Sequence, residues 1–308
     1  MGISAYLREI GRGKDGARSL TREQACDLFG QVLDGSVTDL ELGAFCIAMR
    51  VKGETPGEMA GFLDATSSRM NLVPAGSRPL IVLPSYNGAR KLPLLTPLLA
   101  LLVARVGHPV LIHGTRTESS RVFVSEVLEA LGTPALAAVR PIECQEVAFI
   151  PTEVLCPGLK RLLDARRTIG LRNSSHSLVK LMNPCDGPAV IVGSFTHPEY
   201  AVSMAAVHEL TRSTAMLLRG TEGEPVADPR RMRQMVGFIA GERVELEPEQ
   251  KGSLTDLPAL PSDIGPDATA SYIRDVLSGK EPVPAPIARQ VEHILRLATS
   301  AQRQETTQ

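Results

Sequence analysis

The apolar positions in the first quarter of the chain recur at helical spacing. After Thr21, apolar residues follow at intervals that place them on one face of a helix, and threonine is a typical N-cap. Thr55 is followed by a proline and then by Glu58, which together predict another helix start. The pattern therefore predicts an all-helical N-terminal domain over residues 1–74, joined by part of residues 165–190.

Short apolar runs alternate with helical segments in the rest of the chain. This alternation is typical of βαβ units and predicts an α/β fold: a mainly parallel central sheet flanked by helices, over residues 75–308. Its cleft should face the helical domain, and residues 221–266 are expected to be rich in loops. The predicted strands are 79–84, 109–112, 148–150, 189–193 and 215–220; the predicted helices are 94–105, 120–131, 200–212, 267–277 and 286–301.

The overall composition is that of an ordinary globular protein. The 308 residues include 33 Lys+Arg and 34 Asp+Glu, a formal net charge of −1, and 43% are hydrophobic. These values exclude a wholly disordered or fibrous chain. Aromatic residues make up 4% and tryptophan is absent, which disfavours a protein that stacks many bases on aromatic rings.

The cysteines, histidines and apolar segments indicate the cellular compartment and whether a metal or a membrane is involved. The five cysteines form no CxxC pair and the six histidines show no HxxxH or HExxH spacing, so we expect reduced thiols, no metal site and no cofactor. The N-terminus has no signal-peptide core, and the most apolar stretch, residues 92–106, is shorter than the about 20 residues that span a bilayer. We expect a cytoplasmic protein that does not enter membranes.

The near-zero net charge hides an uneven distribution. Residues 77–121 contain six basic residues and one acidic residue, and residues 160–180 contain six basic residues and one acid, whereas residues 242–292 contain ten acids and five bases. Arg116 and Arg219 each follow a predicted strand, as does the pair Arg90-Lys91. Because ligands bind at the carboxyl ends of parallel strands, these positions predict an anion site. Solvation of helix faces by individual arginines is the alternative.

Several motifs carry a family resemblance in their order along the chain. Together they resemble the anthranilate phosphoribosyltransferase family, within the nucleoside phosphorylase class (glycosyltransferase family 3). The resemblance implies a helical domain, an α/β domain with a cleft between them, and a homodimer formed through the helical domain. The segments concerned are 39–45, 48–55, 58–61, 113–116, 126–132, 166–172, 181–184, 217–223 and 270–279.

The phosphate-binding motif of that family is degenerate in this chain. The family binds phosphoribosyl pyrophosphate with a GTGGD loop, which aligns with Ser85-Tyr86-Asn87-Gly88-Ala89. Only Gly88 is kept. We expect Tyr86 and Asn87 to block the close approach of backbone N–H groups to phosphate, since glycines permit that geometry.

Two further motifs of the family have also changed. The KHGN motif reads Ile-His-Gly-Thr around His113, without its phosphate-binding lysine, and the metal-binding Asp-Glu pair aligns near Glu224, where a proline follows. Arg172 matches the arginine that faces anthranilate, and Arg116 is kept as well.

These departures resemble a catalytically degenerate branch of the family, the YbiB type, whose members are described as DNA-binding homodimers. The resemblance implies a non-enzymatic protein that binds single- or double-stranded nucleic acid with little sequence preference, since arginines would hold phosphates and few aromatics could read bases. The predicted phosphate contacts are Arg90, Lys91, Arg116, Arg121, Lys160, Arg166, Arg167, Arg172, Lys180, Arg219, Arg230 and Arg231.

Two other functions remain open from the sequence. The first is a glycosyl- or phosphoribosyltransferase with an altered substrate, in which His113 acts as acid or base and Arg172 holds a carboxylate with its bidentate fork. The second is a sensor of small anions or nucleotides, lined by residues 174–177. Alternatively, residues 174–177 begin a helix and satisfy its first N–H groups.

Overall fold

The computed structural model describes residues 2–13, 15–118, 120–253 and 257–305. Within these ranges the chain forms a helical bundle, followed by a seven-stranded sheet flanked by helices. The predicted fold class is confirmed. The helices of the bundle are α1 (Ser4–Ile10), α2 (Arg22–Asp34), α3 (Asp39–Lys52) and α4 (Pro56–Ser67).

Threonine N-caps start three of the bundle helices. The hydroxyls of Thr21, Thr38 and Thr55 each accept the N–H of the residue three positions later, and the side chain of that residue accepts the threonine N–H in return. These reciprocal bonds satisfy N–H groups that a helix start otherwise leaves unpaired. The starts predicted at Thr21 and Thr55 are confirmed.

The core of the bundle is aromatic and includes a later segment of the chain. Phe29, Phe45 and Phe62 are fully buried, with ring centroids 4.5–6.1 Å apart. Helix α8 (Pro157–Ile169) packs against α2 and adds three leucines to this core. Gly158 permits the contact, because a Cβ at this position would overlap the backbone at the end of α2.

The sheet has the strand order β3-β2-β1-β4-β5-β6-β7, with β1 to β5 parallel and the last two strands antiparallel. Its strands are β1 (Leu80–Ser85), β2 (Val110–Gly114), β3 (Val147–Pro151), β4 (Ala189–Ser194), β5 (Ala215–Leu218), β6 (Met235–Ile239) and β7 (Glu242–Glu247). The other helices are α5 (Thr96–Arg105), α6 (Val124–Ala130), α7 (Thr152–Leu155), α9 (Ser175–Leu178), α10 (Pro198–Leu210), α11 (Pro266–Ser278) and α12 (Ala285–Glu305).

Helices cover both faces of the parallel strands. Helices α5, α6, α11 and α12 pack on one face, while α10 and the bundle cover part of the other. The strands are accordingly buried along nearly their whole length, as parallel strands between two helical layers usually are. Since α8 and α9 return to the bundle, a cleft forms between them and the loops at the carboxyl ends of the strands. Among the described residues, no helix is long and apolar enough to cross a membrane.

The structure adds to one expectation about secondary structure and corrects another. Residues 221–266 are rich in loops, as expected, but they also contain the hairpin β6–β7, whose second strand lies at the sheet edge and carries charged side chains. The helix predicted over residues 120–131 begins only at Val124. Its first residues are extended, since Val122 pairs with Ala89 in an antiparallel bridge.

Candidate functional site

The loop after β1 binds a carboxylate of the same chain. The backbone N–H groups of Asn87 and Gly88 donate to Oε1 of Glu224, at 2.7 and 2.8 Å. The hydroxyls of Ser85 and Thr96 donate to Oε2 of the same carboxylate. Glu224 is 1% exposed. These four donors therefore form an anion site, and the carboxylate of Glu224 occupies it.

A second carboxylate occupies the next part of this loop. Oε2 of Glu222 accepts the backbone N–H groups of Arg90, Lys91 and Leu92, at 2.8, 3.2 and 3.4 Å. Glu222 has a positive φ of 53° within the short turn after β5, and its carbonyl accepts from the side chain of Asn87 at 3.0 Å. We call residues 222–224 the carboxylate turn, because its two acids fill both groups of amides.

The loop after β1 has amides that bind a carboxylate. We expected Tyr86 and Asn87 to block the close approach of backbone N–H groups to phosphate; the amides of Asn87 and Gly88 nevertheless meet the carboxylate of Glu224. Gly88 keeps a positive φ of 71°, and the amides still converge on an anion. The side chain of Tyr86 turns inward instead, where its hydroxyl contacts His113 Nδ1 at 2.8 Å and Thr152 at 2.9 Å.

His113 does not reach the cleft. Its side chain is fully buried, and burial lowers its pKa to about 3. Its Nε2 atom has no hydrogen-bond partner among the described residues. An acid or base must contact the substrate, so this placement contradicts the catalytic role considered for His113.

Lys180 supports the carboxylate turn rather than the protein surface. The residue is 8% exposed, and its ammonium group donates to the carbonyl of Gly223 at 2.8 Å and to Ser194 Oγ at 3.4 Å. Burial lowers its pKa to about 8. Its prediction as a nucleic-acid contact is corrected, because its donors are used inside the protein.

Three arginines surround one carboxylate in the cleft. Glu118 contacts Arg166 at 2.7 Å, Arg121 at 3.1 Å and Arg172 at 3.7 Å. Arg166 is the main reason that the pKa of Glu118 is lowered, while burial and the charge of Arg166 lower the pKa of Arg172. We call these four residues the arginine cluster. Its cations outnumber its anions by three to one.

The remaining predicted contacts fall into two groups. The side chains of Arg90, Lys91 and Arg219 are exposed and form no hydrogen bond or ion pair with other described residues. The others are engaged: Arg116 with Glu126 at 3.1 Å, Lys160 with Asp164, Arg167 with Asp164 at 3.6 Å, Arg230 with Asp228 at 3.0 Å, and Arg231 with the carbonyl of Gly252 at 2.8 Å.

A cavity of about 500 Å³ lies beside the arginine cluster. Its lining includes Arg50, Arg172 and Tyr200, and also His176, whose pKa is lowered to about 4 by burial and by the charge of Arg172. Not all side chains of residues 174–177 are free to bind a ligand. Ser174 donates to Glu54 and residue 175 begins α9, so this segment starts a short helix as the alternative interpretation held, although the side chain of Ser174 does not cap it.

The sequence analysis missed the acids that organise the site. Glu118 and Glu222 were not singled out, and Glu224 was interpreted only as the position of a lost metal ligand. Among the described residues, no group of three or more His, Cys, Asp or Glu side chains could hold a metal ion. The available signal was two acids on either side of a glycine, four and six residues after the end of a strand, a pattern that can fold back onto a neighbouring loop.

A helical bundle joined to a mostly parallel sheet, with an anion-binding loop after the first strand, defines a glycosyltransferase-type fold. The helical bundle domain of the glycosyl transferase family matches residues 4–70, and the a/b domain of that family matches residues 94–306. The chain therefore belongs to the glycosyl transferase family, and the resemblance seen in the sequence is confirmed.

Relatives within the family include both a YbiB protein and named transferases. The chain is 39% identical to YbiB of Escherichia coli (strain K12) over 291 residues, which cover 92% of this chain and 90% of YbiB. It is 28% identical over 282 residues to the anthranilate phosphoribosyltransferase of Methylocella silvestris, covering 88% and 79%. The crystal structure of anthranilate phosphoribosyltransferase (TrpD) from Thermus thermophilus superimposes with a TM-score of 0.72 at 25% identity, covering 93% and 87%.

Proposed function

We propose that this protein binds nucleic acid through phosphate contacts, with little sequence preference and without catalysis. The observation that carries the proposal is the arginine cluster, where three guanidinium groups share the single carboxylate of Glu118. Excess guanidinium groups suit phosphate, which they contact through paired hydrogen bonds. Contacts to phosphates position a protein on nucleic acid but carry no sequence information directly.

We infer that the basic residues around the cleft form one path for a nucleic-acid backbone. Arg121 donates to the carbonyl of Asn87 at 2.9 Å, which joins the arginine cluster to the loop after β1. That loop continues into the exposed Arg90 and Lys91. Asp228, the ion-pair partner of Arg230, raises the pKa of Arg230 most, and the charge of the nearby Glu222 raises it further. We call this path the basic track; it comprises Arg90, Lys91, Arg116, Arg121, Arg166, Arg167, Arg172, Arg219 and Arg230.

The carboxylate turn argues against phosphoribosyl transfer. A pyrophosphate held by the amides of Asn87 and Gly88 would have to displace Glu224, which four donors hold in a buried position. The family still supports a transferase with an altered substrate, and the 500 Å³ cavity beside Arg172 favours that alternative. Turnover of anthranilate with phosphoribosyl pyrophosphate and Mg²⁺ would decide for it.

An exposed apolar stripe on α3 supports a homodimer through the helical domain. Leu40, Ile47 and Val51 are 84%, 41% and 64% exposed, and Ala44 lies exposed between them. Their spacing of four, three and four residues is that of a coiled-coil seam, which needs a second helix to cover it. We expect an Ile47→Glu variant to sediment as a monomer; an unchanged dimer would place the interface elsewhere.

The experiment on nucleic-acid binding measures affinity by fluorescence anisotropy over a salt series, with single- and double-stranded oligonucleotides of equal length. A triple variant, Arg90→Glu, Lys91→Glu and Arg219→Glu, should bind at least tenfold more weakly. Each lost phosphate contact should reduce the slope of log K against log salt by about 0.9 on duplex or about 0.7 on single strands.

A matched control reverses three exposed cations outside the basic track: Arg78→Glu, Arg243→Glu and Lys280→Glu. This variant has the same net charge as the test variant and should retain most of the affinity. Equal weakening in both variants, or binding that does not depend on salt, would refute the proposed track.

A further inference from the structure

We propose that the arginine cluster is a binding site for a terminal phosphate monoester of a nucleic-acid strand, which takes the place of the Glu118 carboxylate. The inference rests on the proposed function and adds a preference for strand ends that carry phosphate. It concerns Arg121, which precedes α6, and Arg166 and Arg172, which lie in the last turn of α8 and three residues after it.

The cluster has more hydrogen-bond donors than Glu118 can satisfy. Oε1 of Glu118 is 2.7 Å from Arg166 and 3.7 Å from Arg172, and the longer distance is outside hydrogen-bonding range. The guanidinium of Arg172 has no hydrogen-bond acceptor among the described residues, and Nη1 of Arg166 is buried without one. A phosphate monoester brings three terminal oxygens, one more acceptor atom than a carboxylate.

The charge of the cluster fits a monoester better than a link within a strand. Three arginines against one glutamate leave two positive charges uncompensated while Glu118 is in place, and three when a phosphate takes its place. A phosphate monoester carries about −1.5 to −2 charges at pH 7, whereas each phosphodiester carries a single negative charge. Charge balance at the cluster is therefore closest when the phosphate stands at the end of a strand.

The cavity beside the cluster limits what can enter. Its volume of about 500 Å³ lies within the range of sites for small ligands, and Arg172 belongs both to its wall and to the cluster. A nucleotide at the end of a strand is joined to the rest of the strand on one side only, so it can enter such a cavity. An internal nucleotide is joined on both sides, so the strand would have to pass through the cavity. Tyr200 is 38% exposed, and its ring centroid lies 6.3 Å from that of His197, so two aromatic faces are available to the terminal base.

The test compares oligonucleotides of one sequence that differ only at their ends: 5′-phosphate, 3′-phosphate, or hydroxyl at both ends. We expect at least one phosphorylated end to raise the affinity about tenfold, the scale of one charge-assisted hydrogen bond. A nucleoside monophosphate should compete for the phosphorylated oligonucleotide, and inorganic phosphate should compete less well. Equal affinity for phosphate and hydroxyl ends would overturn the inference.

Variants separate the cluster from the rest of the basic track. Arg172→Lys keeps the charge but loses the planar fork, and should weaken binding to phosphate ends much more than binding to hydroxyl ends, so that most of the preference for phosphate is lost. Arg90→Gln should weaken binding to both kinds of end equally. Glu118→Gln removes the competing charge and should increase the preference several-fold. A preference that survives in Arg172→Lys would place the phosphate elsewhere.

The failures of the two proposals can be told apart. If hydroxyl-ended strands bind with steep salt dependence but phosphate adds nothing, the inference about strand ends is wrong and nucleic-acid binding stands. If neither kind of strand binds, both proposals fail. Circular dichroism of each variant confirms folding, and a folded Arg172→Lys protein makes the comparison valid.

Discussion

The carboxylate turn and the arginine cluster lie on the same edge of the sheet and handle negative charge in opposite ways. In the first, backbone amides at fixed positions are matched by Glu222 and Glu224. In the second, three cations on flexible side chains share Glu118, and some of their donors have no acceptor among the described residues. The first region is complete without a ligand, and the second is not.

Burial explains why the two regions can differ in this way. Buried backbone N–H groups must be paired, because leaving one unpaired costs about 1–3 kcal/mol, so the amides of Asn87 and Gly88 need an internal partner. The side chain of Arg172 is 40% exposed, and water can satisfy its free donors until an anion arrives. Water can thus satisfy the free donors of Arg172, which are also open to a ligand, whereas Nη1 of Arg166 is buried without an acceptor among the described residues.

The largest effect is expected from removing the buried acid. A Glu224→Ala variant leaves two amides and two hydroxyls without their acceptor, and should lower the free energy of unfolding by about 2–5 kcal/mol. Urea denaturation followed by circular dichroism measures this value. Glu224→Gln keeps one acceptor oxygen and should lose less. If Glu224→Ala unfolds like the unmodified protein, the turn does not support the loop.

Glu224→Ala also sharpens the comparison. Removing the Glu224 carboxylate should leave the amides of Asn87 and Gly88 free to bind an anion from solution. Pyrophosphate should therefore raise the melting temperature of this variant more than that of the unmodified protein. The same shift in both proteins would mean that pyrophosphate binds outside the loop after β1.

The next effect comes from the buried amine that holds the turn. Lys180 has a folded pKa of about 8 against an ordinary lysine pKa of 10.5, so between these values the unfolded chain holds a proton that the folded chain has released. Stability should therefore rise with pH in this window, by up to about 1.4 kcal/mol per pH unit.

Urea denaturation at several pH values checks the contribution of Lys180. The difference in unfolding free energy between the unmodified protein and Lys180→Met isolates it from thiol and phenol groups that titrate in both proteins. A difference that stays constant between pH 8 and 10.5 would show that the amine remains protonated in the folded state.

The smallest effect is expected from Glu222. Its carboxylate lies among the backbone amides of Arg90 and Lys91, so Glu222→Gln should raise affinity for nucleic acid roughly twofold to fivefold at low salt, and less at high salt, where screening weakens the charge. Glu292→Gln on α12 is the matched control and should leave affinity unchanged. Equal gains in both variants would reflect net charge alone.

Local signals in the sequence predicted the local structure well. Thr21 and Thr55 start helices because a cap depends on residues only three positions apart. The parallel strands were found because burial on both faces requires nearly continuous apolar runs. The hairpin β6–β7 was missed because β7 is half exposed and charged, although β6 is a short apolar run like the strands that were found.

The candidate site could be predicted only in part, because its essential contacts join distant residues. Arg166 and Arg172 were identified as basic, but their convergence on Glu118 depends on how α8 packs beside the sheet. Glu224 reaches the amide of Asn87 across 137 positions of sequence. Such long-range pairing is set by the tertiary fold, so the sequence shows the charges without showing which of them are neutralised.

The acidic edge strand β7 has a consequence for how copies of the protein behave when crowded. It is the outermost strand on its side of the sheet, and an unpaired edge can recruit extended segments of other chains. Glu242 and Glu245 are exposed along it. Like charges on neighbouring copies repel, so we expect crowded molecules to be kept from pairing edge to edge into fibres.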